Sequence, residues 1–142
     1  MGLLSGINHV AFLSGDIDRL KDFYARVFDA ECVLDEILER GPWENARHAF
    51  IDVGNATVLH PFESRANRWL EELPIFDRGR VDHFALQASS LDAFETMRLR
   101  LVDERASDGA VTDFGSVVST FFRDPDGMGA EIAYWKDGHG FA

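Results

Sequence analysis

The sequence predicts an α+β fold made of two copies of one module, each a strand, a helix and three further strands. Three observations predict it. The chain matches itself at a shift of 83 − 9 = 74 residues, laying "INHVAFLSGDIDRLKDFYARVFD" over "VDHFALQASSLDAFETMRLRLVD". An amphipathic helix pattern recurs at the same place in both copies, and short apolar runs divided by turn residues fill the rest of each.

In the overlay, His9/His83, Ala11/Ala85, Asp18/Asp92, Arg26/Arg100 and Asp29/Asp103 are identical. Apolar character matches at Ile7/Val81, Leu20/Phe94, Phe23/Met97, Val27/Leu101 and Phe28/Val102. "INHVAFL" and "VDHFALQA" read as buried first strands. Asp16, and Ser89 or Ser90, stand where a helix needs an N-cap. Behind them Ile17, Leu20, Phe23, Tyr24, Val27 and Phe28 recur at helical spacing, as do Leu91, Phe94, Met97, Leu101 and Val102. Further strands are expected around 30–38, 46–53 and 56–62, then 111–114, 117–122 and 129–135. Between the modules, Trp69, Leu70 and Leu73 suggest a short amphipathic helix stopped by Pro74, acting as a packed connector or a pocket wall. "DPDG" signals a tight turn, with Pro125 fixing φ and Gly127 accepting a positive one.

Composition bounds the function. A chain of 142 residues with 46% hydrophobic and 27% charged residues suits one globular domain. Its 25 acidic against 14 basic side chains give a formal charge of −11, which argues against nucleic acid and anionic membrane surfaces. No signal peptide or membrane-length apolar run is readable, so a soluble cytoplasmic protein is the expectation. The single cysteine, Cys32, excludes an intramolecular disulfide or a cysteine-rich zinc site, leaving His, Asp or Glu to bind any metal.

"NHVAF", "DHFAL" and "FFRDPDGMGAEIAYW" together resemble the vicinal oxygen chelate superfamily of glyoxalases, bleomycin resistance proteins and extradiol dioxygenases. The resemblance covers nearly the whole chain, as one domain over 1–142 with modules 5–63 and 80–136 joined by a linker 64–79. It implies paired βαβββ modules whose strands form a curved mixed sheet, an open cup, of the glyoxalase/bleomycin-resistance/dihydroxybiphenyl-dioxygenase kind. It also implies a divalent metal ion (Fe²⁺, Mn²⁺, Ni²⁺ or Zn²⁺), a small-molecule substrate and a homodimer. Carried over by position, His9 and His83 are first-strand metal ligands, and Glu131 is the last-strand ligand of the second module.

The donor types are consistent with that implication. Two imidazoles and a carboxylate suit borderline divalent ions and leave positions open. A carboxylate within "AEIA" is costly to bury unless paired or metal-bound; a salt bridge to Arg47 or Arg123 is the alternative. The fourth family position, on the last strand of the first module, is where the sequence departs. The 74-residue shift from Glu131 lands on Thr57, small gaps move it to Val58, Leu59 or His60, and none of these is a carboxylate. His60 therefore reads as a fourth ligand, a general acid or base, or a solvent-facing side chain. Tyr134 is a second candidate for proton handling, or else a strand aromatic in the core. Trp43, Phe50, Phe62, Phe122 and Trp135 could line an apolar cup, though most of them read more simply as core.

The expected function is a metal-dependent enzyme that chelates two vicinal oxygens, extradiol-dioxygenase-like or glyoxalase-like. The competing expectation is a metal-free protein of the bleomycin-resistance type that sequesters a small molecule or antibiotic.

Overall fold

The computed structural model describes residues 3, 5–39, 41, 44–64 and 79–136. The chain divides into two compact units, Met1–Trp69 and Leu70–Ala142. Trp43, the connector helix expected at 69–73 and His139 lie outside the described residues.

The first unit contains β1 (His9–Ser14), α1 (Ile17–Phe28), β2 (Cys32–Ile37), β3 (Arg47–Asp52) and β4 (Val58–Glu63). Its sheet has the order β1-β4-β3-β2, with β1 and β4 parallel and the other neighbours antiparallel. The second unit repeats the plan with β5 (Phe84–Gln87), α2 (Leu91–Asp103), β6 (Thr112–Asp113), β7 (Val117–Arg123) and β8 (Gly129–Trp135), in the order β5-β8-β7-β6. The repeat expected from sequence is thus reproduced strand by strand.

Alternation decides which residues reach the core. In the first unit Leu59, Pro61, Ala49 and Ile51 are buried, as are Ile17, Leu20, Phe23, Tyr24 and Val27 of α1. In the second, Val118, Thr120, Phe122, Ala130 and Ile132 are buried with Phe94 and Leu101 of α2. The alternate residues of each sheet form the opposite face, which carries the histidines.

The caps formed as the sequence requires. Asp16 Oδ1 accepts from the Arg19 backbone N–H at 2.9 Å, and Ser90 Oγ accepts from Ala93 N–H at 3.0 Å. At the DPDG turn Gly127 has φ 83°, and Asp124 Oδ1 accepts from Asp126 and Met128 N–H at 2.9 Å. A tight turn also precedes β4: Thr57 N–H donates to Gly54 O at 2.9 Å, and Gly54, Asn55 and Ala56 all have positive φ. Gly109 (φ 74°) has a second reason to be glycine, since a Cβ there would lie 2.7 Å from Val102 Cγ2.

Three expectations need correction. The first strands are shorter than their apolar runs, and Ile7 and Val81 precede them with 65% and 74% exposure. Leu91, at the first turn of α2, is half exposed because it sits at the helix start, beyond the sheet-facing stripe. Phe122 is wholly buried on the core face of β7, so it lines no cup. No described helix is long and apolar enough to cross a membrane.

Candidate metal centre

The donors predicted from sequence occur as one pair in each unit. In the second unit His83 immediately precedes β5, and Glu131 pairs with Ala85 across β5 and β8. His83 Nε2 stands 3.7 Å from Glu131 Oε1, while His83 Nδ1 is hydrogen-bonded to Asp82 Oδ2 at 2.6 Å. A carboxylate can only accept, so Nδ1 carries a proton and Nε2 is the ring nitrogen turned towards Glu131. Phe121, directly across from Glu131 on β7, packs edge-on against His83 with ring centroids 6.4 Å apart.

The first unit repeats this in detail. His9 Nδ1 is bonded to Asn8 Oδ1 at 2.8 Å, again from the preceding residue and again freeing Nε2. Ala11 pairs with His60 across β1 and β4, just as Ala85 pairs with Glu131. Strand register therefore makes His60 the counterpart of Glu131, which the ungapped shift had placed at Thr57. The gap arises because the chain from Asp29 to His60 is three residues longer than that from Asp103 to Glu131. His9 and His60 meet edge to face at 5.5 Å between ring centroids.

His60 is enclosed by aromatic rings, with Phe62 at 4.3 Å, Phe50 at 4.6 Å and His48 at 5.1 Å between centroids. Burial is the main cause that lowers its pKa below the ordinary histidine value, and the neighbouring His48 and His9 lower it further. A neutral imidazole results at neutral pH, with a lone pair available for a metal or a proton. A groove of about 390 Å³ lies against this face, lined by His9, Ala11, Phe12, Leu13, His60 and Phe62.

Sequence reasoning missed His48, which is 5% exposed on β3. Its signal was the His-x-Phe repetition of "HAF" and "HPF", which places two imidazoles on the same face of neighbouring strands. The salt bridge considered between Arg47 and Glu131 does not describe Arg47, which binds Asp18, Asp35 and Glu63 instead. Arg123 donates to Gly127 O and lies over the Phe121 ring.

Tyr134 is not brought to the donors. The pairing of β8 is regular from Gly129 to Trp135, so Tyr134 projects from the face opposite Glu131, the face of Ile132. Among the described residues, no group of three or more His, Cys, Asp or Glu is gathered as a metal cage. The donor chemistry fits a borderline divalent ion nonetheless: imidazoles with committed second nitrogens, one of them with its other nitrogen facing a carboxylate.

Comparison with known proteins agrees with this architecture. The family model of the glyoxalase/bleomycin resistance protein/dioxygenase superfamily matches residues 6–132. Lactoylglutathione lyase GLX1 of Arabidopsis thaliana is 29% identical over 126 residues, 87% of this chain. The match spans less than half of that relative, 42% of its length. A glyoxylase/bleomycin resistance protein/dioxygenase domain from Frankia sp. EAN1pec superposes with TM-score 0.73 at 21% identity, covering 96% of each chain. A mutant of the fosfomycin resistance protein FosX from Listeria monocytogenes, complexed with Mn(II) and 1S,2S-dihydroxypropylphosphonic acid, superposes with TM-score 0.62 at 16% identity, covering 94% of this chain and 95% of its own. A match over so much of the chain, on a fold whose two units each present a donor pair at equivalent strand positions, means that this protein belongs to the glyoxalase/bleomycin resistance protein/dioxygenase superfamily.

Proposed function

We propose that this protein is a divalent-metal-dependent enzyme of the glyoxalase type, acting as a lyase or isomerase on a small molecule with two adjacent oxygens. His9, His83 and Glu131 are its metal ligands, and His60 is the fourth donor. The observation that carries the proposal is the pair His83–Glu131. The Nδ1 of His83 is engaged by Asp82, and its Nε2 lies 3.7 Å from the Glu131 carboxylate, a pairing of donor types that a borderline divalent ion uses. His9 and Asn8 provide the same commitment in the first unit.

Three imidazoles with one carboxylate suit Fe²⁺, Ni²⁺ or Zn²⁺, and Mn²⁺ as the FosX complex illustrates, over Ca²⁺. When bound, the ion supplies a Lewis acid that holds both substrate oxygens and offsets negative charge developing on them. The chain's own residues orient and enclose. Ala11 and Ala85 leave room beside His60 and Glu131, while Phe50, Phe62 and Phe121 present apolar surface around the donors. Tyr134 has no part in this chemistry. The whole chain acts as one domain, and the homodimer implied by the family belongs to the same proposal, to be read by light scattering.

Elemental analysis tests the metal. Protein incubated with each of the four ions should retain near-stoichiometric metal after desalting, and a His9→Ala/Glu131→Ala variant should lose it. Loaded protein should then catalyse solvent-deuterium uptake beside the carbonyl of a small α-hydroxycarbonyl compound. Protein that stays empty, and instead binds a cationic drug without metal, would establish the sequestering alternative.

A further inference from the structure

We infer that His48 is a positioning residue that, with Glu36, fixes the tautomer of His60 so that Nδ1 of His60 is its donor atom. The three residues lie on adjacent strands β2, β3 and β4, and Glu36 pairs directly with His48. His48 Nδ1 is 2.9 Å from His60 Nε2. At its other end, His48 Nε2 is 3.4 Å from Glu36 Oε1. That Nε2 is buried and finds no aligned hydrogen-bond partner among the described residues.

The protons follow from electrostatics. A lone pair on His48 Nε2 would face the negative oxygen of Glu36 and be repelled, whereas an N–H there is attracted. A carboxylate accepts only, so His48 carries its proton on Nε2. Its Nδ1 is then an acceptor, and the 2.9 Å contact requires His60 Nε2 to donate. Neutral His60 has one ring proton, so Nδ1 is left with its lone pair and is the nitrogen of His60 outside any hydrogen bond among the described residues. His9 and His83 are oriented the other way, with Nδ1 held by the preceding side chain and Nε2 exposed. Of these three imidazoles, only His60 depends on a buried neighbour for its choice of nitrogen. The positional counterpart of His48 in the second unit is Ser119, so the device belongs to the first unit alone.

The tautomer is independent of whether a metal is bound, and only its use as a ligand rests on the metal reading. Heteronuclear NMR of nitrogen-labelled, metal-free protein at mildly alkaline pH reads it directly. The expected result is the Nε2–H form for both His60 and His48. Glu36→Lys, a change at an exposed position, places a donor against His48 Nε2 and should invert both tautomers. His48→Phe should leave His60 in a mixture and lower Zn²⁺ affinity by about tenfold in calorimetry, as loss of an outer partner does. His48→Asn, whose amide oxygen can replace the Nδ1 acceptor, should restore both readings. Finding His60 in the Nδ1–H form in wild-type protein, or unchanged in His48→Phe and Glu36→Lys, would overturn the inference. Correct tautomers in a protein that binds no Zn²⁺ would refute the metal reading while leaving the positioning role intact.

Discussion

The two units share a backbone plan and place different chemistry at the same address. Ala11 stands beside His60 in one, and Ala85 stands beside Glu131 in the other. The preceding-residue bond from Asn8 or Asp82 to the histidine is common to both. Around this shared frame, the first unit surrounds its donor with three rings and lowers its proton affinity, whereas Glu131 faces an imidazole across 3.7 Å. The difference lies in residue identity at one paired-strand position, because the register around the two side chains is the same.

The largest expected effect breaks the address itself. His60→Ala or Glu131→Ala should weaken divalent-metal binding by more than about 100-fold, exceeding the range for outer-shell partners. His60→Glu makes the first unit a chemical copy of the second and should stay within about tenfold of wild type by calorimetry, since the added carboxylate is itself a suitable ligand. If that variant binds no better than His60→Ala, the register equivalence has no bearing on coordination.

Next come the helices. α1 buries five large side chains and α2 two. Leu20→Ala should cost about 2–5 kcal/mol in denaturant unfolding. Met97→Ala, at the matching stripe but only half buried, should cost roughly half as much, because less apolar area leaves water. The caps should show no such asymmetry: Asp16→Ala and Ser90→Ala should each cost about 1 kcal/mol.

The smallest effect concerns acid. Arg47 bonds Asp18, Asp35 and Glu63 in the first unit, and Lys21 pairs with Asp18 and Asp35. Arg47, ahead of Lys21, holds the Asp35 pKa down at about 2 and that of Asp18 lower still. Carboxylates lowered in this way stabilise the folded state above their unfolded value of about 4, and the contribution fades as pH falls from about 4 towards about 2. Arg47→Met should flatten that acid loss in unfolding experiments, a modest change because the groups are partly solvated.

Much of this arrangement was legible from residues alone. The self-match exposed the repeat, and His9, His83 and Glu131 stood out because polar donors interrupt apolar strands. Asp16, Ser90 and Gly127 announced their turns through local chemistry that tertiary packing did not override. The equivalence of His60 was legible only as one option beside Thr57, Val58 and Leu59, because loop lengths between strands leave no periodic trace and only pairing reveals register. Tyr134 was misplaced for a related reason: nearness in sequence to Glu131 hides the alternation that sends it to the other face. His48 went unseen because one imidazole in "RHAFID" differs from any satisfied core histidine only by what the next strand sets beside it.

The turn from Gly54 to Thr57 consequently restricts which insertions and deletions the protein tolerates. Its three positive-φ residues deliver the chain into β4 in a single phase. One residue added or removed there would present Leu59 or Pro61 to the histidine face and bury His60 against α1, while a change of two would restore the phase and move the imidazole one pleat along. Surface loops ordinarily vary freely in length, but this one has a parity.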